Sequence, residues 1–166
     1  MFVLLSIVVP SVCGAGPVAM KNWYVDTDSD TMYAVTMNDS GSLFGQYCFA
    51  STRSCVYLIA LGTGCEKGRR YSILANTDVG TSYHEIYCDG ELEGGKFRYV
   101  FTDFGTIDFL VATAAKVGFA MPLQDDQFKI IRFDLDGGAS ATGRLKEMAN
   151  KRLYQRENKP PSEEYL

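Results

Sequence analysis

The chain has 166 residues, 46% hydrophobic and 22% charged, with 13% aromatic and sixteen glycines. That is the size of one domain with a real core, and the aromatic and glycine content leans towards strands and tight turns. A net charge of −4 and scattered basic residues argue against the clustered cationic surface that nucleic-acid phosphates demand, so no nucleic-acid partner is expected.

Residues 1–15 (MFVLLSIVVPSVCGA) are an apolar run followed by small residues, the pattern of a secretory signal peptide. Cleavage after Ala15 is preferred, with Ala19 as the alternative. No Lys or Arg precedes the run, and a buried N-terminal strand is the competing reading. Phe2–Val9 falls short of the about 20 apolar residues a bilayer crossing needs, so no stable membrane span is expected. Val12 before Cys13 spoils a lipoprotein box.

Trp23–Asp26 is a short strand, and Asp26-Thr-Asp-Ser-Asp30 a polar turn. Asp26, Asp28 and Asp30 imitate half of a calcium loop, but Thr31 stands where glycine is required and Met37 where a bidentate Glu belongs. A solvated turn is the better reading. Thr31–Met37 is strand-like, and Leu43–Phe49 and Cys55–Leu61 form a hairpin. Tyr71–Asn76 and Tyr83–Cys88 follow as a further pair of strands. A polar turn over 89–95 leads to the alternating strand Lys96–Thr102.

In Ile107, Leu110, Val111, Ala114 and Ala115 the apolar residues recur at three- and four-residue steps, which predicts a short helix ended by Gly118. Phe119–Leu123 and Phe128–Leu135 read as two strands. Gly137-Gly138 then releases a helix from about Ala139 to Leu153, with Ala141, Leu145, Met148, Ala149 and Arg152 on one face. A polar tail over 154–166 is expected to be disordered. The economical count is one domain, residues 16–153.

Four of the five cysteines, Cys48, Cys55, Cys65 and Cys88, lie in this β-rich block. Each sits at or near the end of an apolar run, the placement of cross-links between strands. Cys48 and Cys55 lie on opposite arms of a hairpin, which leaves Cys65 with Cys88. Four cysteines allow three pairings, so this is a preference. Zinc is the alternative, but the cysteines lack the closely spaced C-x₂₋₄-C pairs of structural zinc sites, and no metal or cofactor is expected.

The segment from Gly68 onward carries G-x-x-Y-x-x-L (Gly68, Tyr71, Leu74), a cysteine ending a strand (Cys88) and a short helix before two strands. It closes on F-x-L-x-G-x-x-x-A (Phe133, Leu135, Gly137, Ala141). Over about the last 80 ordered residues this resembles the invasion-associated locus B family, exported proteins of proteobacteria. The resemblance implies an immunoglobulin-like β-sandwich, mainly β with one short and one C-terminal helix. It also implies an envelope or secreted protein without enzymatic activity, linked to host-cell interaction.

The single histidine limits the chemistry, because any Ser-His-Asp or Cys-His mechanism must use His84. No G-x-S-x-G elbow supplies a nucleophile. His84 with Glu85 remains the enzymatic alternative, a hydrolase. A surface or half-buried strand histidine is preferred. Adjacent carboxylates at Asp125-Asp126, Glu91/Glu93 and Asp134/Asp136 do not face each other across a cleft, as glycoside cleavage requires. Tyrosines spread over most strands, some of which must point outward, suit protein interfaces.

The reading that results is an exported, periplasmic or secreted, disulfide-stabilised module that binds a protein partner without catalysis. The alternative is a periplasmic inhibitor or immunity protein. Such a protein would present an acidic loop, Glu91 with Glu93 or Asp125 with Asp126, to an enzyme cleft.

Overall fold

The computed structural model describes residues 16–122 and 127–157. The expected signal peptide with Cys13, the pair Asp125 and Asp126, and residues 158–166 lie outside the described residues.

The strands are β1 (Val18–Met20), β2 (Trp23–Asp26), β3 (Thr31–Met37), β4 (Leu43–Phe49), β5 (Ser54–Leu61), β6 (Arg70–Thr77), β7 (Gly80–Leu92), β8 (Lys96–Phe101), β9 (Lys116–Pro122) and β10 (Phe128–Asp134). Helix α1 (Phe104–Thr113) lies between β8 and β9, and α2 (Gly138–Glu157) follows β10. The strands form one antiparallel sheet in the order β1-β2-β3-β4-β5-β8-β7-β6-β9-β10.

The sheet folds over so that its halves face each other. Phe44 on β4 shows why: its ring lies 5.2 Å from Phe119 on β9 and 5.5 Å from Phe133 on β10. Three more rings, Trp23, Tyr57 and Phe101, surround it. Strand alternation sends every second residue into this interior, so Met32, Ala34, Ile73, Ala75, Val117 and Ile131 join one buried cluster. The edge of β10 closes against β3, where Thr36 Oγ1 donates to the Asp134 carbonyl (3.3 Å) and Asn38 Nδ2 to that of Arg132 (3.1 Å). The expected sandwich thus takes the form of a single ten-stranded sheet folded over on itself.

Gly45 permits the close approach of β3 and β4, since a Cβ there would lie 2.2 Å from the Ala34 carbonyl oxygen. Gly137, at φ +93°, turns the chain out of β10 into α2. Ala141, Leu145 and Ala149 are buried, Met148 is half-buried, and Arg152 donates to the Ser29 carbonyl at 2.6 Å. The helix runs to Glu157, past the expected end at Leu153.

Two expectations are corrected. Gly118 does not end α1 but lies inside β9; the helix stops at Thr113, and Ala114 is already extended. The cause is Asp78, whose Oδ1 accepts the N–H groups of Ala115 (3.0 Å) and Lys116 (3.3 Å) and draws the chain into the sheet. The polar stretch over 89–95 is mostly strand: β7 continues past a bulge between Cys88 and Gly90, and Glu91 pairs with Phe97. Strand β1 was not foreseen.

Candidate functional site

Cys48 stands directly opposite Cys55 in the β4–β5 ladder, with Cα atoms 4.0 Å apart, and the two are bridged. Cys65 is bridged to Cys88 across a Cα separation of 6.0 Å. Both bonds follow the preferred pairing, although Cys65 lies in the loop after β5 and Cys88 inside β7 rather than at a strand end. With all four thiols in bridges, no zinc ligand set remains among them, and the described residues hold no group of three or more His, Cys, Asp or Glu placed to bind a metal.

His84 points inward on β7 and is 7% exposed. Its Nε2 lies 2.7 Å from Ser82 Oγ, and its ring meets Phe101 edge-on. Burial holds its pKa below the ordinary imidazole value, against an opposing pull from Asp103. Glu85 is on the other face of the strand, as alternation requires, and pairs with Arg70. The sheet therefore separates the two side chains of the enzymatic alternative.

Of the acidic candidates, the described pair is less prominent than a projecting loop. Glu91 and Glu93 are exposed at the end of the β7–β8 hairpin, with only the turn Glu93–Gly95 between the strands. Asp26 Oδ1 accepts the Asp28 N–H at 2.9 Å, a local turn bond that occupies the calcium-like segment. Asp136 pairs with Lys21 at 2.7 Å. A polar cluster the sequence did not reveal joins Tyr57, Gln46, Asp108 and Lys146 where α1 and α2 meet β4 and β5.

The inner face of the sheet is consumed by the core and the helices, and the outer face carries the exposed apolar side chains. There Leu58, Ala60 and Val100 form a second small apolar cluster, fringed by Leu43, Tyr47, Val56, Tyr87 and Leu92. On the other half the outer face carries Tyr83 (83% exposed), Phe128 (69%) and Ile130 (53%). Of the tyrosines, Tyr57 and Tyr99 are core residues while Tyr24 and Tyr83 are exposed. Which tyrosines face outward depends on register, which the sequence pattern does not display.

These features define a disulfide-linked β-sandwich-like protein whose outer sheet face carries exposed aromatic and aliphatic side chains. No helix among the described residues is long and apolar enough to cross a membrane. No protein-family model matches the chain, and no curated protein matches it. Among solved structures it is similar to invasion associated protein B from Bartonella henselae, with a TM-score of 0.61 at 11% identity, covering 82% of this chain and 99% of that one. At that identity the likeness is one of fold, and it agrees with the sandwich that the resemblance in the sequence implies. The two bridges are compatible with an extracytoplasmic location.

Proposed function

We propose that this is an exported, non-catalytic module that binds a protein partner in the bacterial envelope or at the host-interaction surface. The observation that carries the reading is the outer sheet face, where Tyr83, Phe128 and Ile130 are exposed among the described residues of a domain stapled by two disulfides. Large exposed apolar side chains grouped on one face are a mark of interaction sites, and tyrosine is a favoured anchor there. The disulfides support an oxidising compartment, periplasmic or extracellular. The fold shared with invasion associated protein B supports the same direction.

The test is a photo-crosslinking amino acid placed at Tyr83, Tyr47 and Phe128 in turn in the source cells. The extracytoplasmic fraction should yield a discrete protein adduct from at least one position. Retention of the chain in the cytoplasm with free thiols, or no adduct from any outer-face position, would remove the reading.

A further inference from the structure

Ser82 and His84 are two residues apart on β7, so alternation puts both side chains on its inner face, and His84 Nε2 lies 2.7 Å from Ser82 Oγ. Towards the β6–β7 turn this face meets α1. Thr106, Phe109, Leu110 and Thr113 recur at three- and four-residue steps along one side of the helix, and with the turn they wall a groove of about 240 Å³. Five hydroxyl side chains line it: Thr77, Thr81, Ser82, Thr106 and Thr113. Four of them direct their hydrogen into the fold. Thr77 Oγ1 donates to the Gly80 carbonyl (2.7 Å), Thr81 Oγ1 to Asn76 Oδ1 (3.0 Å), Thr113 Oγ1 to the Phe109 carbonyl (2.8 Å) and Thr106 Oγ1 to Asp103. Ser82 alone has an imidazole as its partner. Val79, Phe109 and Leu110 make the rest of the lining apolar, and among the described residues no charged side chain lines the groove.

His84 is suited to act as the base. Burial keeps the ring neutral at pH 7, and with its proton on Nδ1 the neutral ring offers Nε2 as an acceptor to the Ser82 hydroxyl. Asp103, the N-cap of α1, is the charged group that acts on the ring, while Glu85 and Arg70 are paired on the opposite face of the strand. A negative charge there favours the imidazolium that forms when Ser82 gives up its proton.

We propose that Ser82 is a covalent acylation site that takes a short, uncharged acyl group from an activated ester. The site lies on the opposite side of the sheet from the outer face proposed to bind a partner, and is independent of it. Ser82 Oγ attacks the acyl carbonyl carbon while its proton passes to His84 Nε2. The bond to the leaving oxygen then breaks, and that oxygen takes a proton from the imidazolium, which returns the ring to neutral. Ester and serine thus become acyl-serine and free alcohol, with no further reactant. Ser82 lines the groove while His84, 7% exposed, does not, so an acyl group on Ser82 shields the ring from water. The step is therefore stoichiometric, one acyl group for each chain.

The test is incubation of the oxidised full chain with p-nitrophenyl butyrate near neutral pH, following p-nitrophenolate release and mapping the adduct by peptide mass spectrometry. One equivalent should be released in a burst, with the butyryl group on Ser82. The rate should rise with pH through the folded His84 pKa, which lies below the ordinary value of about 6.5, and then level off. His84→Gln should slow the burst by about a hundredfold or more, the weight of a general base, and Ser82→Ala should abolish it. Phe109→Ala, at an exposed position of the wall, should reduce the preference for butyrate over acetate. Circular dichroism identifies any variant that fails to fold, in which case the adduct map of the wild-type chain decides. Butyryl groups scattered over lysines and tyrosines, an equal rate in the urea-unfolded chain, or an undiminished burst in folded Ser82→Ala would overturn the proposal. Sustained turnover that requires Ser82 would overturn the single acylation step, and the non-catalytic reading with it.

Discussion

Tyr57 Oη donates a 2.7 Å hydrogen bond to Asp108 Oδ1, and Lys146 Nζ lies 2.5 and 2.6 Å from the two oxygens of the same carboxylate. One carboxylate thus ties strand β5 to both helices. Burial, reinforced by the bond to Asp108 and its charge, pushes the Tyr57 phenol far above the ordinary tyrosine value.

Tyr57→Phe leaves the ring packed against Phe44 and Phe104 but removes the donor to Asp108. The expected loss is about 1.5–3 kcal/mol, the range for hydrogen bonds to charged groups, read from urea denaturation. The raised phenol pKa also has a linkage sign. Its stabilisation is fully present below the unfolded value of about 10 and is lost as pH rises above it. Tyr57→Phe should flatten that part of the alkaline stability profile; an unchanged profile and midpoint would show the bond to be unimportant.

His84 makes the opposite case. Its folded pKa is depressed, so between that value and the unfolded value of about 6.5 the unfolded chain binds more protons. Stability should therefore fall as pH drops from about 7 through this window, and level off below the folded pKa. In His84→Gln the slope should disappear. An equally steep loss in the variant would assign it to carboxylates such as Asp103, whose pKa is lowered by its bonds from Thr106.

The two disulfides should differ in weight. They close sequence separations of 7 and 23 residues. Chain-entropy arithmetic gives about 2 kcal/mol for the shorter loop and about 3 kcal/mol for the longer. Cys65→Ala/Cys88→Ala should thus have the lower melting temperature of the two double variants. The reverse order would mean that the unfolded-chain argument does not govern here.

Phe44 is the sharpest test of the core. It is 0% exposed and meets rings from both halves of the sheet. Phe44→Ala is expected to cost about 3–5 kcal/mol, enough to unfold many domains of this size. Phe44→Leu keeps more of the volume and should fold with a smaller loss. Near-wild-type stability in both would mean the halves do not close on this ring.

Local elements were legible because their signals are local. Thr31–Met37 and Leu43–Phe49 carry β-type residues bounded by turns, and the strands fall on those residues. The helix end was misread because its cause is distant in sequence: Gly118 resembles a stop signal, but the actual one is the carboxylate of Asp78. The Cys48–Cys55 pair was readable from its place across one hairpin, whereas Cys65–Cys88 followed only as the preferred remainder, since Cys65 lies in a loop and Cys88 inside β7. The placing of Tyr83 and Ile130 on one outer face was not legible, because they share a row with Leu74 and Ala120 only through the registers of three separate ladders. Nor could pattern place β8 beside β5, since that pairing skips two intervening strands.

The order of the bridged cysteines has a consequence for biogenesis. Cys48 is bonded to Cys55 and Cys65 to Cys88, so along this block each cysteine joins the next to appear. A chain threaded amino-terminus first into an oxidising compartment would form both native bonds by oxidation in order of emergence, with no reshuffling by an isomerase. The second bond would also tether the end of β5 near β7 and its neighbour β8, shortening the search for the one ladder that unites the two halves of the sheet.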